Sequence, residues 1–205
     1  MFGSKKDEVR IEKYRDLCYK AGLDYVDSDE FGEKALMSCF ELFNRRRGKI
    51  RNLCLSRSDI TEPRYHIFDY KYTVAYGNHV KTYDQTVFFA NSRELGLPAF
   101  IMKPENFGHK LGMYLGWEDI NFENYPVFSD KYHLKGDDPD FIRHAFSDQV
   151  LKFFSNTSGW TVEAANYYLI FYAHDSLVPA NILQDFYRLG TGIAELFRSE
   201  SNQPN

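Results

Sequence analysis

The chain has 205 residues, 43% hydrophobic and 26% charged, and these proportions exclude an intrinsically disordered composition. A formal net charge of −4 argues against a nucleic-acid-binding domain, because such domains carry a basic patch or stripe. The one basic run, Arg45–Lys49, lies where a helix is predicted to end, and cations there complement the helix dipole. Nucleic acid is therefore not an expected partner.

The N-terminal part of the chain, 7–47, is predicted to form a pair of helices. Apolar residues recur at three- and four-residue steps over 7–21, and Gly22 then provides a helix C-terminus. The second helix is expected to begin near Asp27, which has capping-box spacing with the acid three residues later, and to end at Gly48.

A set of strands is predicted between 49 and 103. Residues 64–76 alternate between an aromatic face and a mixed face, as a β-strand requires. Gly77-Asn78 is a hairpin turn signal, and a tight turn there pairs Tyr70 with Gln85. The predicted strands form a four-stranded antiparallel meander: 49–57, 64–76, 79–91 and 97–104.

Helices and strands alternate in the remainder of the chain. Asp138 followed by Pro139 is a typical N-cap with proline at the first helical position, and Ser147 is expected to cap another helix. The segment 159–173 alternates like a second hairpin. The other predicted elements are a short helix at 105–115, a strand at 126–134 and an amphipathic final helix at 179–198.

This order of elements predicts an α+β fold with a mostly antiparallel sheet, made of the four-stranded meander plus later strands. The N-terminal helical pair and the C-terminal helix are expected to pack on it. No linker rich in proline, glycine or serine divides the chain, so we predict a single domain over 1–205 with its sheet-containing core at 49–198. A pleckstrin-homology-like barrel is the alternative, an analogy of fold that carries no function.

The three cysteines, Cys18, Cys39 and Cys54, are too few and odd in number to indicate a disulfide framework. Cys18 and Cys39 fall on apolar faces of the predicted helices, where free cysteine acts as a small hydrophobe. The N-terminus is polar, and no stretch approaches the roughly 18 apolar residues of a membrane-spanning helix. A cytoplasmic location is therefore expected.

The common catalytic and cofactor motifs are missing from the sequence. It contains no phosphate-binding glycine loop, dinucleotide fingerprint, zinc-protease helix or nucleophile elbow. The six histidines are scattered without HxH or HxxxH spacing, so neither a metal site nor a cofactor is expected. The acidic stretch 117–140 lacks the order of a calcium loop and is interpreted as helix caps and a solvated rim.

Asp69 is the most unusual residue of the first long strand. Strict alternation places it opposite the aromatic face, and if helices cover its own face, the buried carboxylate needs a basic partner. Tyr70 and Gln85 are expected together on the other face. The predicted binding residues are Asp69, Tyr70, Gln85 and Arg143. The candidate partners for the carboxylate are Arg51, Arg64 and Arg143.

Several stretches together resemble a group of uncharacterised bacterial proteins that share FDYxY, QTV and DIxFExxPxFSxxYxLxGxD segments in that order. The resemblance covers about residues 35–190, and it implies a domain of unknown function with no catalytic residues to carry over. Many proteins of that group have hydrophobic membrane segments ahead of the domain. The stretches in this chain are "FDYKY" (68–72), "QTV" (85–87), "LPAF" with "KPE" (97–105), "DINFENYPVFSDKYHLKGDD" (119–138), "IRHAF" (142–146) and "WTVEAANYYLIFY" (160–172).

Two functional hypotheses follow. The first is a non-catalytic binding or scaffolding module that acts through its aromatic-rich sheet, with another protein or a second copy of the chain as partner. The second is a hydrolase or lyase that uses scattered acids and histidines, such as Asp69 with His66 or Asp119 with His133. The first is favoured because the sequence has no nucleophile–base or metal signature. The sequence does not identify a small-molecule ligand.

Overall fold

The fold combines eight strands with six α-helices in a computed structural model that describes residues 5–30, 32–44, 48–56, 63–105 and 117–201. The strands are β1 (Leu23–Ser28), β2 (Lys49–Ser56), β3 (Arg64–Tyr76), β4 (His79–Asn91), β5 (Leu97–Pro104), β6 (Tyr132–Gly136), β7 (Trp160–Asn166) and β8 (Tyr168–Ala173). The helices are α1 (Lys5–Ala21), α2 (Glu33–Leu36), α3 (Pro126–Ser129), α4 (Pro139–Ala145), α5 (Asp148–Ser155) and α6 (Leu183–Ser201). Short 3-10 turns cover Met37–Cys39, Glu41–Phe43 and Ala180–Ile182.

All the strands join one sheet in the order β1-β2-β3-β4-β8-β7-β5-β6, and every neighbouring pair is antiparallel. The α+β class with a mostly antiparallel sheet is therefore confirmed. A four-stranded meander is present, but it consists of β1 to β4. The fourth predicted strand, β5, is separated from β4 because the β7–β8 hairpin lies between them. Within the described residues β1 and β6 end the sheet, so it is open rather than a closed barrel.

The central hairpin has the register that the sequence predicts. Tyr70 pairs with Gln85, and Tyr76 pairs with His79 across the Gly77-Asn78 turn. Gly77 has φ +57°, a left-handed conformation that glycine adopts without steric cost. Alternation of side chains and a turn of fixed length were enough to determine this pairing.

The second predicted helix was wrong at its start. The chain from Leu23 to Ser28 forms the edge strand β1, with Tyr25 opposite Cys54 of β2. The cap that does form uses Asp29, whose carboxylate accepts the backbone N–H groups of Glu33 and Lys34. The helical segment therefore begins several residues later than predicted, and it is interrupted by 3-10 turns.

One face of the sheet is covered by α1 and α4 to α6, and it forms the larger of two hydrophobic cores. Tyr14 and Leu17 of α1 are buried there, and Phe171 of β8 stacks on Phe186 of α6 with ring centroids 5.5 Å apart. α6 lies close to the sheet at Gly190, where a Cβ atom would be 2.3 Å from the Cγ of Phe88. Glycine at this position lets α6 approach the sheet.

The opposite face holds a second core beneath the segment 32–44, which we call the covering segment. Its side chains Met37, Phe40 and Phe43 are buried against the aromatic face of β3. The ring of Phe43 lies 4.6 Å from the ring of Tyr70. Phe68, Tyr70 and Tyr72 on this face of β3 are therefore core residues and do not form an open surface.

A disulfide joins Cys18 of α1 to Cys54 of β2, with 36 residues of separation in sequence. The expectation that Cys18 is a free cysteine was wrong. The strand β1 returns the chain antiparallel to β2 directly after α1, so the helix and the strand become neighbours although they are distant in sequence. Cys39 is a free cysteine and is exposed.

The C-terminal half follows the prediction with one exception. Asp138 and Ser147 cap α4 and α5, and the hairpin β7–β8 and the final helix α6 are present. The predicted strand 126–134 begins as helix α3, because Pro126 occupies the first helical position, and only its end joins β6. The predicted helix 105–115 lies outside the described residues except for Glu105. The arginines of the basic run, 45–47, also lie outside them.

Among the described helices, none combines the length and the apolarity needed to cross a membrane.

Candidate functional site

Asp69 is fully buried and lies on the sheet face that the helices cover. Arg10 of α1 binds it in a bidentate manner: its Nε donates to one carboxylate oxygen and its Nη2 to the other, each at 2.6 Å. The hydroxyl of Tyr14, one turn further along α1, donates to the same carboxylate at 2.7 Å. The spacing of four residues places both donors on one side of the helix.

Two further side chains complete the set around Asp69. The hydroxyl of Thr86 donates at 3.1 Å, and the amide of Asn52 donates at 2.9 Å. A carboxylate has about four lone-pair directions, and five donor groups now occupy them. Arg10 also donates to the carbonyl of Val178 at 2.7 Å, which ties the segment before α6 to the same point. We call these residues the Asp69 cluster.

The electrostatics of the cluster agree with its geometry. Burial would lower the pKa of Arg10, but the hydrogen bonds and the charge of Asp69 outweigh it and raise that pKa. Burial, together with the neighbouring carboxylate, raises the pKa of Tyr14 well above its usual value. Arg10 therefore stays a cation and Tyr14 a neutral donor, as their hydrogen bonds to Asp69 require.

Arg10, which pairs with Asp69, is not among the three arginines predicted as its partner. Arg51 instead pairs with Asp84 at 2.8 Å. Arg143 lies on the exposed side of α4, and its guanidinium is 3.5 Å from the carbonyl of Pro139. The signal in the sequence was a stripe along α1, because Arg10, Tyr14 and Cys18 recur every four residues and all contact the sheet.

The four predicted binding residues do not form one site. Tyr70 and Gln85 are paired across β3 and β4, as expected, but on the sheet face opposite Asp69. Gln85 accepts a hydrogen bond from the backbone N–H of Asp175 at 3.0 Å. Arg143 is at a third position on the surface. A joint binding role for these residues therefore remains a prediction that their placement does not support.

A second buried carboxylate, Glu163, holds the covering segment. It accepts the backbone N–H groups of Glu41 and Leu42 at 2.6 and 3.3 Å and the hydroxyl of Tyr172 at 2.9 Å. Lys103 lies 3.2 Å from the carboxylate of Glu41. Burial raises the pKa of Glu163 to about 7 against the opposing charge of Lys103, and the charge of Glu41 adds to the increase.

His133 lies between two carboxylates. Its Nδ1 lies 3.0 Å from the carboxylate of Asp119, and its Nε2 lies 2.9 Å from that of Glu105. The predicted contact between Asp119 and His133 is thus present. The other predicted pair is not, because His66 lies on the opposite sheet face from Asp69 and its Nδ1 faces Glu33 at 3.4 Å.

The β3–β4 hairpin projects past its neighbours. β2 pairs with β3 only as far as Lys71, and β8 pairs with β4 only from Val87. The residues 73–82 extend beyond both strands, and we call them the hairpin arm. Val80 near its tip is 68% exposed although it is aliphatic. The arm therefore leaves strand edges unpaired by β2 and β8 and exposes an apolar side chain.

Comparison with known proteins gave a likeness of fold. No family model and no curated protein matches the chain. The fold is similar to the crystal structure of the mycobacterial trehalose monomycolate transport factor A, TtfA, with a TM-score of 0.61 and 12% sequence identity. The match covers 96% of this chain and 98% of that one. At this identity the likeness shows a shared fold and assigns no residue a role.

Proposed function

We propose that this chain is a non-catalytic binding and scaffolding module. The observation that carries the proposal is the saturation of Asp69, the sharpest catalytic candidate in the sequence, by Arg10, Tyr14, Thr86 and Asn52. Every lone pair that a catalytic carboxylate would offer to a substrate is already used inside the fold. The cluster instead joins α1, the sheet and the segment before α6.

The hydrolase or lyase alternative depends on Asp119 with His133. A general base needs one ring nitrogen free to take a proton from the reacting group. Both nitrogens of His133 face carboxylates, those of Asp119 and Glu105, at hydrogen-bonding distance. Their arrangement supports a surface ion-pair network more than a catalytic dyad.

The hairpin arm is the proposed docking element, because the aromatic sheet face lies under the covering segment. A partner strand can add to an exposed strand edge, where main-chain hydrogen bonds provide affinity and side chains provide specificity. Val80 and Ala75 are directly opposite each other in the arm and share one face, so they offer a small apolar contact there. A second copy of this chain is one partner that such an edge would accept.

The similarity of fold to TtfA suggests the kind of assembly in which this module acts. That protein is a transport factor by name, and a binding module of the same fold suits an accessory role in a transport assembly. The predicted cytoplasmic location is opposed by the Cys18–Cys54 disulfide, since disulfides persist mainly in oxidising compartments. Rapid alkylation of thiols in intact cells, followed by mass spectrometry, distinguishes the cytoplasm from an oxidising compartment. Reduced Cys18 and Cys54 support the cytoplasm, and an intact disulfide supports an oxidising compartment.

Photocrosslinking tests the docking role. A photoreactive phenylalanine analogue at Val80 is expected to give a discrete adduct in cells that express the chain, because the arm lies in the interface. The same analogue at Tyr19, which is 84% exposed on α1, is the matched control and should give none. Mass spectrometry of the adduct separates a second copy from another protein. Equal labelling at both positions, or none at Val80, contradicts the proposal.

A further inference from the structure

We propose that a cleft at one end of the sheet binds a cationic side chain, arginine or lysine, of a partner protein. The cleft has a volume of about 440 Å³ and lies between the start of β5, the β7–β8 turn and the beginning of α4. It is a different surface from the hairpin arm, so the inference does not depend on the docking role proposed for the arm.

Two aromatic rings line the cleft, and both are unusually exposed. Phe141 of α4 is 45% exposed and Tyr167 of the β7–β8 turn is 49% exposed, whereas most phenylalanines of this chain are buried. Aromatic residues at such positions are typical anchors of protein interfaces.

Within the described part of the chain, the charged residues that line the cleft are the acids Asp137 and Asp138 alone. Asp138 uses one carboxylate oxygen to cap α4 through the N–H of Phe141 at 3.0 Å. Asp137 bonds through its backbone to Ala99, and among the described residues its carboxylate has no hydrogen bond or ion pair. The cleft therefore carries negative charge, and its described lining includes no cation.

The walls are held in place by the backbone. The carbonyl of Tyr167 accepts the N–H of Ser92 at 2.9 Å, and the N–H of Asp137 donates to Ala99 at 3.1 Å. Asn166 adopts φ +55°, a left-handed turn conformation that asparagine tolerates, and this sets the direction in which the next residue leaves the strand. A site with fixed walls loses little conformational entropy when a ligand enters.

The chemistry of the lining selects a cation. The faces of aromatic rings attract ammonium and guanidinium groups, and two neighbouring carboxylates strengthen that preference. An anion would meet like charge from both acids. Because both rings are about half exposed, the cleft is an open cradle rather than a closed cage, which fits a side chain presented on a partner's surface. Arginine is also enriched among interface hot spots.

An NMR titration of the whole chain tests this site. The probe is a capped peptide with two arginines separated by glycine, and the matched control peptide carries citrulline, an uncharged analogue of the same shape. We expect the arginine peptide to shift the amide signals of 137–141 and 166–167, and the citrulline peptide to leave them unchanged. Equal shifts with both peptides would overturn the inference.

Variants locate the binding to the rings and the free carboxylate. Phe141→Ala and Tyr167→Ala are each expected to weaken the arginine peptide about two- to five-fold, the range for an exposed cation–π contact. Asp137→Asn should weaken it as well. Tyr19→Ala, which removes an exposed ring elsewhere, should change nothing. If the cleft variants and Tyr19→Ala bind alike, the peptide is held by general negative charge and the site does not exist.

Discussion

Removing Arg10 tests whether the Asp69 cluster is a structural joint. In Arg10→Met the aliphatic stem is kept while the guanidinium is lost, so a fully buried carboxylate loses its only cation in the described structure. The side chain of Arg10 is 13% exposed and that of Asp69 is 0% exposed, so solvent cannot replace the lost partner. Breaking a buried ion pair from one side costs about 3–5 kcal/mol.

That loss is large enough to measure without ambiguity. In a chain of this size 1 kcal/mol lowers Tm by about 2–4 °C, so we expect a decrease of about 6–20 °C by calorimetry, with a matching decrease in urea midpoint. Lys20→Met is the matched control. Lys20 lies on the same helix and pairs with Asp16 at 2.8 Å, but both side chains are about half exposed. Its removal should cost about 0.3–0.5 kcal/mol.

A double variant separates the buried charge from the lost packing. Adding Asp69→Asn to Arg10→Met removes the uncompensated carboxylate, while the new amide still accepts from Tyr14. The double variant should therefore be more stable than Arg10→Met alone, which is strongly non-additive. The reasoning is refuted if Arg10→Met costs no more stability than Lys20→Met. It is also refuted if adding Asp69→Asn to Arg10→Met lowers the free energy of unfolding by as much as Asp69→Asn does in the wild type.

Three other predictions concern the remaining core. Because burial raises the pKa of Glu163 from 4.5 to about 7, the native state keeps a proton that the unfolded chain loses, and stability falls as pH rises through this range. Relative to Glu163→Gln, the wild-type free energy of unfolding should therefore fall by about 2–3 kcal/mol between pH 5 and 8 in urea titrations. Gly190→Ala should cost about 1–3 kcal/mol by clash with the sheet, whereas Gly192→Ala, with open space around it, should gain about 0.5–1. Replacing Cys18 and Cys54 by alanine should cost about 3–4 kcal/mol, because 36 residues separate them.

Each of these measurements has an internal check. Glu12→Gln removes an exposed carboxyl from α1 but keeps Glu163, so its free energy of unfolding should fall with pH as that of the wild type does. A reducing agent should lower the free energy of unfolding of the wild type to about that of the variant with alanine at 18 and 54. The stability of that variant should not change. If Gly190→Ala and Gly192→Ala shift stability equally, close packing of α6 on the sheet is not the reason for glycine at 190.

The β3–β4 hairpin shows what local pattern can predict. Its alternation and its Gly77-Asn78 turn were sufficient to predict the pairing of Tyr70 with Gln85. The caps at Asp138 and Ser147 were equally predictable, because a cap is a contact between residues three positions apart. The position of β5 was not predictable, since nothing near that strand shows that the β7–β8 hairpin, more than 50 residues later, pairs with β4.

The candidate site shows the same division. The strand pattern around Asp69 was enough to predict that it is unusual, that it lies opposite the aromatic face, and that it needs a basic partner if helices cover it. The packing of distant segments was needed to show that this partner is Arg10, that Cys18 meets Cys54, and that Phe141 and Tyr167 line one cleft with Asp137. The physical reason is range: alternation, turns and caps act over a few residues, whereas ion pairs, disulfides and clefts join segments that meet only after the chain has packed.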